Sequence, residues 1–383
     1  MKSDFSFKIY SSTENLPDGW DSLASKNIFL SKDYLTVLVN AVPKNMICHF
    51  IGLFLNEELV GLALSQYIDL RDVHSFGERD HRLKTKIREI VFKHLSSNVL
   101  VMGNNMLTGQ NGCCFSEKLP RSEGMILLKT VAEELKKNFN SKGKKIHLTI
   151  FKDFSKSEVE PLDIPEFNSF YKFTTQPNML FQIRESWKTF DDYVLDKSKK
   201  YRDQYKRARK KADGITKKKL SLEEITKYNA RIHELYMNVA KNAPFNTFYL
   251  PEHHFVFFKK SLKDNFLFYG YFIGQELIGF NTLIKNGSDI DTYFLGYDEK
   301  YQREKMLYLN MLYDMIGYSI NKGYNRIIFA RTALEIKSSV GAKPINMYGL
   351  IKHSNPFINL FISKTFSYFE PKIEWQERNP FKN

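Results

Sequence analysis

A twelve-residue segment near the start of the chain occurs a second time in the later half, and this repeat constrains the fold more than any single residue. Residues 51–62 align without gaps on residues 269–280, with five identities and three conservative apolar replacements. In both copies, aromatic and aliphatic residues that favour strands flank a position that tolerates positive φ, Asn56 in one copy and Gly274 in the other. The pattern predicts a β-hairpin in each copy, and therefore one fold used twice.

Two further correspondences follow in the same order along the chain. Residues 99–103 resemble residues 292–296, and Ser-Lys-Gly at 141–143 precedes a predicted strand as Asn-Lys-Gly at 321–323 does. We expect the two halves to share more than the hairpin.

Size and composition bound the class of protein. The 383 residues exceed what one core usually supports, so we predict an N-terminal domain over residues 1–175 and a C-terminal domain over 176–383. No stretch approaches the roughly 20 apolar residues of a membrane-spanning helix, and the first residues lack a secretory signal, so we expect a cytoplasmic location. The cysteines are odd in number and have no metal-ligand spacing, which favours reduced thiols in a protein without a zinc site. They are Cys48, Cys113 and Cys114.

The charge of the chain predicts attraction to an anionic partner. The formal net charge is +14, and residues 197–219 alone contain twelve Lys or Arg against two Asp. Three interpretations of this segment stay open: contact with tRNA or another nucleic acid, contact with an anionic membrane or a phosphorylated substrate, and a merely solvated helix face. A lysine-rich composition inherited from an AT-rich genome would explain the excess without any function.

Hydrophobic periodicity predicts the same series in each half: a hairpin, a third strand, a helix and a fourth strand. In the first half these are residues 49–66, 98–102, 125–137 and 145–151; in the second they are 266–285, 290–296, 304–321 and 325–330, followed by a helix over 333–340. Between the halves we predict a long basic helix from Ser186 to Gly214 and a second helix over 221–239. Mixed sheets flanked by helices, twice over, define an α/β or α+β architecture.

The last predicted helix resembles a motif of the GNAT acyltransferase superfamily. Residues 333–342 form an apolar helix that ends in a Gly–apolar pair, and Lys337 stands four residues before Gly341, where the family usually has tyrosine. The helix over 303–320 and the run Ser-Lys-Lys-Tyr-Arg at 198–202 are similar in particular to the tandem GNAT proteins related to FemABX aminoacyl-ligases, often labelled BioF2-like acetyltransferases. The resemblance implies two tandem GNAT-like domains, each a mixed twisted sheet flanked by helices.

The resemblance also implies a function. It implies an N-acyltransferase that moves an acyl or aminoacyl group from an activated carrier to an amine on a cell-envelope precursor, a lipid or a related anionic metabolite. The donor is acyl-CoA, an acyl carrier protein or an aminoacyl-tRNA, with no metal, and the C-terminal copy holds the better-preserved site. Peripheral contact with the inner membrane surface is compatible with this activity. A hypothesis from another class is a non-catalytic adaptor that binds RNA or anionic membrane through the basic helix.

One departure from the family bears on the donor. GNAT proteins usually cradle the CoA pyrophosphate on backbone amides of an Arg/Gln-x-x-Gly-x-Gly/Ala loop, in which the glycines permit close approach. Residues 302–307 put Lys305 and Leu307 at the glycine positions. We therefore expect poor pyrophosphate binding there. The glycine-rich segment 103–112 is either a phosphate cradle in the other half or an ordinary turn loop.

Acyl transfer needs positioned substrates, stabilisation of an oxyanion and a route for the amine proton. We assign catalytic roles to Lys337, as an ammonium facing the oxyanion or a phosphate, and to Tyr297 and Tyr348, as proton carriers or substrate contacts. The alternatives are a solvated lysine and two packing tyrosines. The predicted substrate-binding residues are Arg331, Thr332, Lys199, Arg202 and Tyr308.

Two other clusters have simpler explanations. His253 and His254 are neighbours whose side chains do not face one way, so we do not expect a metal site. The aromatic cluster over 356–362, with Phe366, Tyr368 and Phe369, predicts core or inter-domain packing or, alternatively, an apolar lip for an acyl chain or a lipid acceptor.

Overall fold

A computed structural model describes residues 5–71, 96–243, 246–364 and 375–382. The chain divides into two compact units. The first unit comprises Met1–Thr175, Pro244–Pro251 and Asn346–Lys372, and the second comprises Gln176–Ala243, Glu252–Ile345 and Ile373–Asn383. Two segments of the predicted C-terminal domain thus pack with the first unit.

The strands of the described residues, in chain order, are β1 (Phe5–Tyr10), β2 (Met46–Leu55), β3 (Glu58–Asp69), β4 (Asn98–Met102), β5 (Cys113–Phe115), β6 (Leu148–Phe154), β7 (Tyr171–Gln182), β8 (Thr216–Lys219), β9 (Phe266–Ile273), β10 (Glu276–Asn286), β11 (Asp289–Thr292), β12 (Gly296–Tyr297), β13 (Arg326–Ile328) and β14 (Lys343–His353).

The α-helices of the same residues are α1 (Trp20–Ala24), α2 (Lys32–Asn40), α3 (Arg121–Ser141), α4 (Lys156–Val159), α5 (Phe190–Asp196), α6 (Lys199–Lys211), α7 (Leu222–Lys227), α8 (Asn229–Lys241), α9 (His254–Leu262), α10 (Glu299–Lys305), α11 (Leu307–Asn321), α12 (Leu334–Val340) and α13 (Pro356–Asn359). Short 3₁₀ helices cover Ile28–Leu30, Glu160–Leu162, Pro165–Phe167 and Lys263–Asn265.

The first unit is built on a mixed sheet in the order β1–β2–β3–β4–β6–β14. The predicted hairpin is β2 and β3, which pair antiparallel. The next position beside β3 is shared by two strands: β4 lies opposite one part of β3, with Met102 facing Ser65, and β5 lies opposite another, with Cys113 facing Ala63. Strand β4 then runs parallel to β6. Helix α3 connects β5 to β6.

The second unit repeats this plan in the order β8–β9–β10–β11–β13–β7. Strands β9 and β10 form the second copy of the hairpin, and β11 and β12 share the position beside β10. Strand β11 runs parallel to β13, and α11 is the connecting helix. Each unit therefore has the GNAT order of elements, and the predicted fold class is confirmed.

The pairing register corrects one predicted correspondence. Thr292 faces Leu283 in β10, just as Met102 faces Ser65 in β3, and the repeat aligns Leu283 with Ser65. Thr292 is therefore the counterpart of Met102, so the alignment of residues 99–103 on 292–296 is wrong by three residues. The cause is the split strand, because the connection between its two parts covers residues 103–112 in one unit and 293–295 in the other.

The other predicted correspondence is confirmed in detail. Helices α3 and α11 both end at a glycine with positive φ, 73° at Gly143 and 72° at Gly323. In each case the amide of the next residue donates back to a carbonyl five residues earlier, Lys144 to Phe139 at 2.9 Å and Tyr324 to Ser319 at 3.0 Å. These are the bonds of a glycine-terminated helix end.

The long basic helix predicted from Ser186 to Gly214 is wrong, because the chain forms two helices there. The N-cap is Thr189, whose side chain accepts from the amide of Asp192 while the Asp192 carboxylate accepts from the amide of Thr189. Lys197 and Ser198 then adopt extended backbone angles and separate α5 from α6. The predicted helices over 221–239 and 304–321 are likewise divided, at Tyr228 and at Met306.

The aromatic cluster predicted over 356–362 is mostly at the surface. Phe357, Leu360 and Phe361 are exposed, while Ile362 is buried in the first unit. Core packing is therefore wrong for the three exposed residues. Phe366, Tyr368 and Phe369 lie outside the described residues. Over the part of the chain that the structure describes, no helix is long and apolar enough to cross a bilayer.

Candidate functional site

The loop that follows β13 in the second unit has an unusual backbone. Ala330, Thr332 and Ala333 all have positive φ, at 59°, 67° and 48°. Left-handed backbone at a residue other than glycine costs about 1–3 kcal/mol and tends to occur at functional sites. This strained loop begins at the end of a strand that runs parallel to its neighbour, where ligands commonly bind in sheets of this kind.

Lys337 holds the strained loop in place. Its side chain lies on α12 and is only 4% exposed, and its Nζ donates to the carbonyl oxygens of Arg331, at 2.6 Å, and Ala330, at 3.4 Å. Burial lowers the pKa of Lys337 to about 7. The amine is therefore engaged with the backbone of the loop, and its role in catalysis stays a prediction.

The other predicted residues of the second unit are spread around this loop and the neighbouring helices. Arg331 is partly buried, and its Nε donates to the carbonyl of Gln176 at 3.1 Å, whereas Thr332 is exposed. Tyr297 and Tyr308 lie together, with ring centroids 6.3 Å apart, and burial raises the pKa of both phenols. Both tyrosines therefore remain protonated near neutral pH, as hydrogen-bond donors.

The two predicted residues of the basic segment differ in their surroundings. Lys199 is exposed at the start of α6. Arg202 instead donates through Nη1 to the carbonyls of Lys197 and Leu195, at the end of α5. Arg202 therefore contributes to local structure at the junction of these helices.

Tyr348 belongs to the first unit. It lies in the part of β14 that pairs with β6, opposite Phe154, and packs at the edge of that unit's core. The other predicted site residues all belong to the second unit. Sequence order could not reveal this, because β14 passes from one unit to the other.

The first turn of α11 in the second unit is capped by a side chain of the protein, that of Gln302. The side-chain oxygen Oε1 of Gln302 accepts the amide of Tyr308 at 2.7 Å, and Met306 adopts a left-handed conformation with φ 50° between α10 and α11. Lys305 and Leu307 occupy the two positions at which the family's phosphate loop has glycine. A pyrophosphate would have to displace this internal cap, which gives the predicted weak binding a structural cause.

The start of α3 in the first unit is open by contrast. Among the residues that the structure describes, the amides of Ser122 and Glu123 have no hydrogen-bond acceptor, as is usual for a first helical turn. Residues 121–124 read Arg-Ser-Glu-Gly and so match the first part of the family's phosphate loop, a match that sequence reasoning missed. Gly124 is required sterically, because a Cβ there would approach the ring of Phe115 within 2.7 Å.

A small cavity lies beside this helix start. The space that the centre of a water molecule can reach is about 10 Å³, enough for about one water, so the cavity as it stands does not hold a ligand. Burial raises the pKa of the Cys113 thiol to about 12, so this group is not a nucleophile at neutral pH. The cavity is lined by Leu64, Met102, Gln110, Gly112, Cys113, Met125, Leu128, Phe151 and Phe154.

Two backbone amides of the glycine-rich loop over residues 103–112 already donate to side chains of the protein. Its two ends touch, since a Cβ on Gly112 would lie 2.3 Å from the Cα of Gly103. The amide of Asn105 donates to Gln66 Oε1 at 2.6 Å, and the amide of Gly112 donates to Gln110 Oε1 at 3.1 Å. These bonds favour the turn-loop interpretation over a phosphate cradle.

Comparison with known proteins identifies the fold. No protein-family model and no curated protein matches the chain. Among solved structures, that of FemX is 9% identical and covers 93% of this chain and 99% of its own, with a TM-score of 0.55. A tandem GNAT protein from the clavulanic acid biosynthesis pathway is 9% identical, covers 92% and 99%, and gives 0.52. L-PGS from Bacillus licheniformis is 11% identical, covers 93% and 98%, and gives 0.50.

The chain has the tandem GNAT, FemABX-related fold. This is the fold of acyl- and aminoacyltransferases, and at such low identities the likeness shows the fold alone. Its two copies of the GNAT unit carry different features: the open helix start and the cavity in the first, and the strained loop with Lys337 in the second.

The basic helix α6 remains compatible with all three interpretations. One cation faces inward, because Arg209 pairs with Asp314 at 2.8 Å. The exposed cations of the helix are Lys199, Lys200, Lys206, Arg207, Lys210 and Lys211. His254 is fully buried against Tyr293, at 3.0 Å from Nε2 to the hydroxyl, and His253 is exposed. Over the described residues, no group of three or more acidic, His or Cys side chains is arranged to hold a metal ion.

Proposed function

We propose that the protein is an N-acyltransferase or aminoacyltransferase that moves an activated acyl group from a carrier to an amine, and that its first unit receives the donor. The observation that carries this proposal is the open first turn of α3, where the amides of Ser122 and Glu123 have no acceptor among the described residues. The amides of the first helical turn, together with the helix dipole, attract an anionic group such as a carrier's phosphate. Met125, one residue after Gly124, also lines the cavity, so the phosphate position and the cavity are adjacent.

The second unit supplies groups suited to an anionic acceptor. Helix α6 presents six exposed cations, and the strained loop exposes Thr332 beside Arg331. A cell-envelope precursor or a lipid-linked amine with phosphate groups has the complementary charge. Lys337 fixes the loop that would contact this substrate, and its cationic form adds positive charge near the loop.

The chemistry requires one bond exchange. The nitrogen of the neutral amine forms a bond to the carbonyl carbon of the donor, and the carbonyl oxygen takes up negative charge in a tetrahedral intermediate. The bond from that carbon to the carrier's sulfur or oxygen then breaks, and the carrier leaves with its electron pair. A proton passes from the nitrogen to the leaving carrier or to solvent.

A donor panel tests the proposed function. Purified protein is incubated with acyl-CoA, acyl carrier protein thioesters and aminoacyl-tRNA, each with amine-bearing envelope precursors and lipids, and products are measured by mass spectrometry. We expect N-acylated product with a thioester donor. Product from aminoacyl-tRNA alone would keep the transferase activity but overturn the assignment of the start of α3 to a thioester carrier, and no product from any pair would contradict the activity.

A matched pair of cysteine variants tests the donor site. Cys113→Met should overpack the small cavity beside the first turn of α3, shift the neighbouring Met125 and raise the KM for the donor about tenfold, which corresponds to the loss of about 1.4 kcal/mol of binding. Cys114→Met is the control, because its Sγ lies 3.6 Å from the carbonyl of Leu23 and the residue does not line the cavity. Equal effects of the two substitutions would argue against the start of α3 as the donor site.

The adaptor hypothesis rests on the six exposed cations of α6. Binding to tRNA and to vesicles containing phosphatidylglycerol is measured across a salt series, because phosphate contacts weaken steeply with salt. Salt-sensitive binding to one of them, without turnover on any donor, supports an adaptor. The absence of salt-sensitive binding to either supports a solvated face.

A further inference from the structure

Lys197 has an environment that the proposed function does not use. Its side chain is fully buried, and its Nζ has no hydrogen-bond acceptor among the described residues. Four aromatic rings surround the amine, with centroids 4.5 Å away for Tyr193, 5.5 Å for Tyr313, 5.7 Å for Phe381 and 6.0 Å for Tyr201. The amine therefore contacts ring faces instead of oxygen atoms.

One of the four rings belongs to the end of the chain. Residues 378–382, here called the C-terminal latch, lie along the break between α5 and α6. Phe381 pairs with Lys197 in an isolated antiparallel bridge, the amide of Ser198 donates to the carbonyl of Pro380 at 2.9 Å, and the amide of Lys382 donates to the carbonyl of Asp196 at 3.2 Å. The latch thus closes the ring cage over the amine.

The C-terminal latch also holds the helix that carries Lys337. The amide of Arg378 donates to Ser338 Oγ at 3.0 Å, and its guanidinium pairs with the carboxylate of Glu335. At the end of the same helix, a Cβ on Gly341 would come within 2.6 Å of the Phe381 ring, so the ring lies directly on this backbone. Release of the latch would remove these supports from α12.

The cage is a poor environment for a charged amine. The cation–π attraction of ring faces is weaker than the cost of removing an ammonium from water. Burial accordingly lowers the pKa of Lys197 to about 7. Within the part of the chain that the structure describes, no carboxylate forms an ion pair with this amine, and the nearby Asp196 binds Arg184 at 2.6 Å. The titratable side chains that face the amine are Tyr193 of α5, Tyr201 of α6 and Tyr313 of α11, and the latch contributes the uncharged ring of Phe381.

We propose that the C-terminal latch is a pH-sensitive device that closes over Lys197 when its amine is neutral and is weakened when the amine takes up a proton. The latch is joined to α5 and α6 by one bridge and two backbone hydrogen bonds, so a change at Lys197 acts directly on the contacts that hold it. The proposal stands whether or not the protein transfers an acyl group.

The direction of the effect follows from proton linkage. In the open state the amine is solvated and has a pKa near 10.4, so between about pH 7 and pH 10 the open state binds more protons than the closed state. Closure therefore strengthens as pH rises through this range, by up to about tenfold per pH unit for one proton. Below about pH 7 the amine is protonated in both states, and the dependence levels off.

Fluorine NMR measures the latch directly. The full chain is prepared with 4-fluorophenylalanine at position 381, and its bound and released signals are recorded from pH 6 to pH 9. We expect the released fraction to rise as pH falls from 9 to 7 and to level off below. In Lys197→Met, which cannot take up a proton, this pH dependence should disappear. Lys206→Met is the matched control, because Lys206 is exposed on α6, and it should keep the wild-type profile.

Two results would overturn the proposal. One is a bound signal that does not change between pH 6 and pH 9. The other is a Lys197→Met profile that matches the wild type, because the proton would then bind elsewhere, for example at Lys337. If Lys197→Met lowers solubility, Lys197→Gln provides the same comparison with a neutral polar side chain.

Discussion

Helices α3 and α11 stand at the same place in their units, yet they begin in different ways. The first turn of α3 follows Pro120 with its amides open, whereas the first turn of α11 follows another short helix and receives the side chain of Gln302. Each helix connects the split strand to a strand that runs parallel to part of it. A repeated fold therefore does not imply a repeated ligand site, because the availability of a few amides decides what can bind.

Two buried lysines extend the comparison. Lys152 in the first unit donates to the carbonyls of Asn104 and Leu107, at 3.0 Å each, and forms an ion pair with Asp153 at 2.6 Å. Lys337 in the second unit also donates to loop carbonyls, and no ion pair to it occurs within the described residues. Both lysines fix a loop beside the parallel strands, but only the first is compensated by a neighbouring carboxylate.

The largest expected effect concerns this difference. Lys152→Met removes one partner of a buried ion pair and should lower the free energy of unfolding by about 3–5 kcal/mol. Lys337→Met removes hydrogen bonds to carbonyls, together with a desolvated charge, and should cost about 1–3 kcal/mol. Urea unfolding of both variants against the wild type measures the two values. A larger loss for Lys337→Met would break the comparison.

The next effect is on turnover. Lys337→Met should release the strained loop at Arg331 and lower turnover about 100-fold, because small displacements of binding groups cost about this much. Lys322→Met, an exposed substitution just after α11, is the control and should leave turnover near the wild-type value. Unchanged turnover in a folded Lys337→Met protein would remove this residue from the mechanism.

The smallest effect concerns the internal cap of α11. Gln302→Ala should lower the free energy of unfolding by about 0.5–1.5 kcal/mol, because the Tyr308 amide loses its acceptor. It should not create CoA binding in the second unit, since Lys305 and Leu307 still stand at the positions where the family's phosphate loop has glycines. Calorimetric titration with CoA checks the second point, with the exposed substitution Glu304→Ala as a control. A new CoA site in Gln302→Ala would show that the cap alone closes this helix.

Much of the fold could be predicted from the sequence because its signals are local. The hairpin repeat and the glycine-terminated ends of α3 and α11 depend on residues that are neighbours in the sequence, so the sequence predicts them correctly. The three-residue error between residues 99–103 and 292–296 arose because apolar strands look alike, while the position of a split strand depends on pairing across the sheet. The break between α5 and α6 at Lys197 could not be predicted for a similar reason. Lys197 pairs with Phe381, which is distant in the sequence.

The site was less predictable than the fold. Only the family resemblance indicated a role for Lys337. Its hydrogen bonds to the loop carbonyls depend on the left-handed backbone of that loop, which no sequence pattern predicts. Tyr348 was grouped with the second unit because of its place in the sequence, although its strand pairs with β6 of the first. The Arg-x-x-Gly match at residues 121–124 is a local pattern and is therefore predictable from the sequence alone.

Amide hydrogen exchange with saturating acetyl-CoA tests the central claim, that the first unit receives the donor and the second does not. Exchange is measured by mass spectrometry on peptides covering residues 121–128 and 302–309, with and without the ligand. The account predicts slower exchange in the first peptide and no change in the second. Protection of residues 302–309, or of neither peptide, would contradict it.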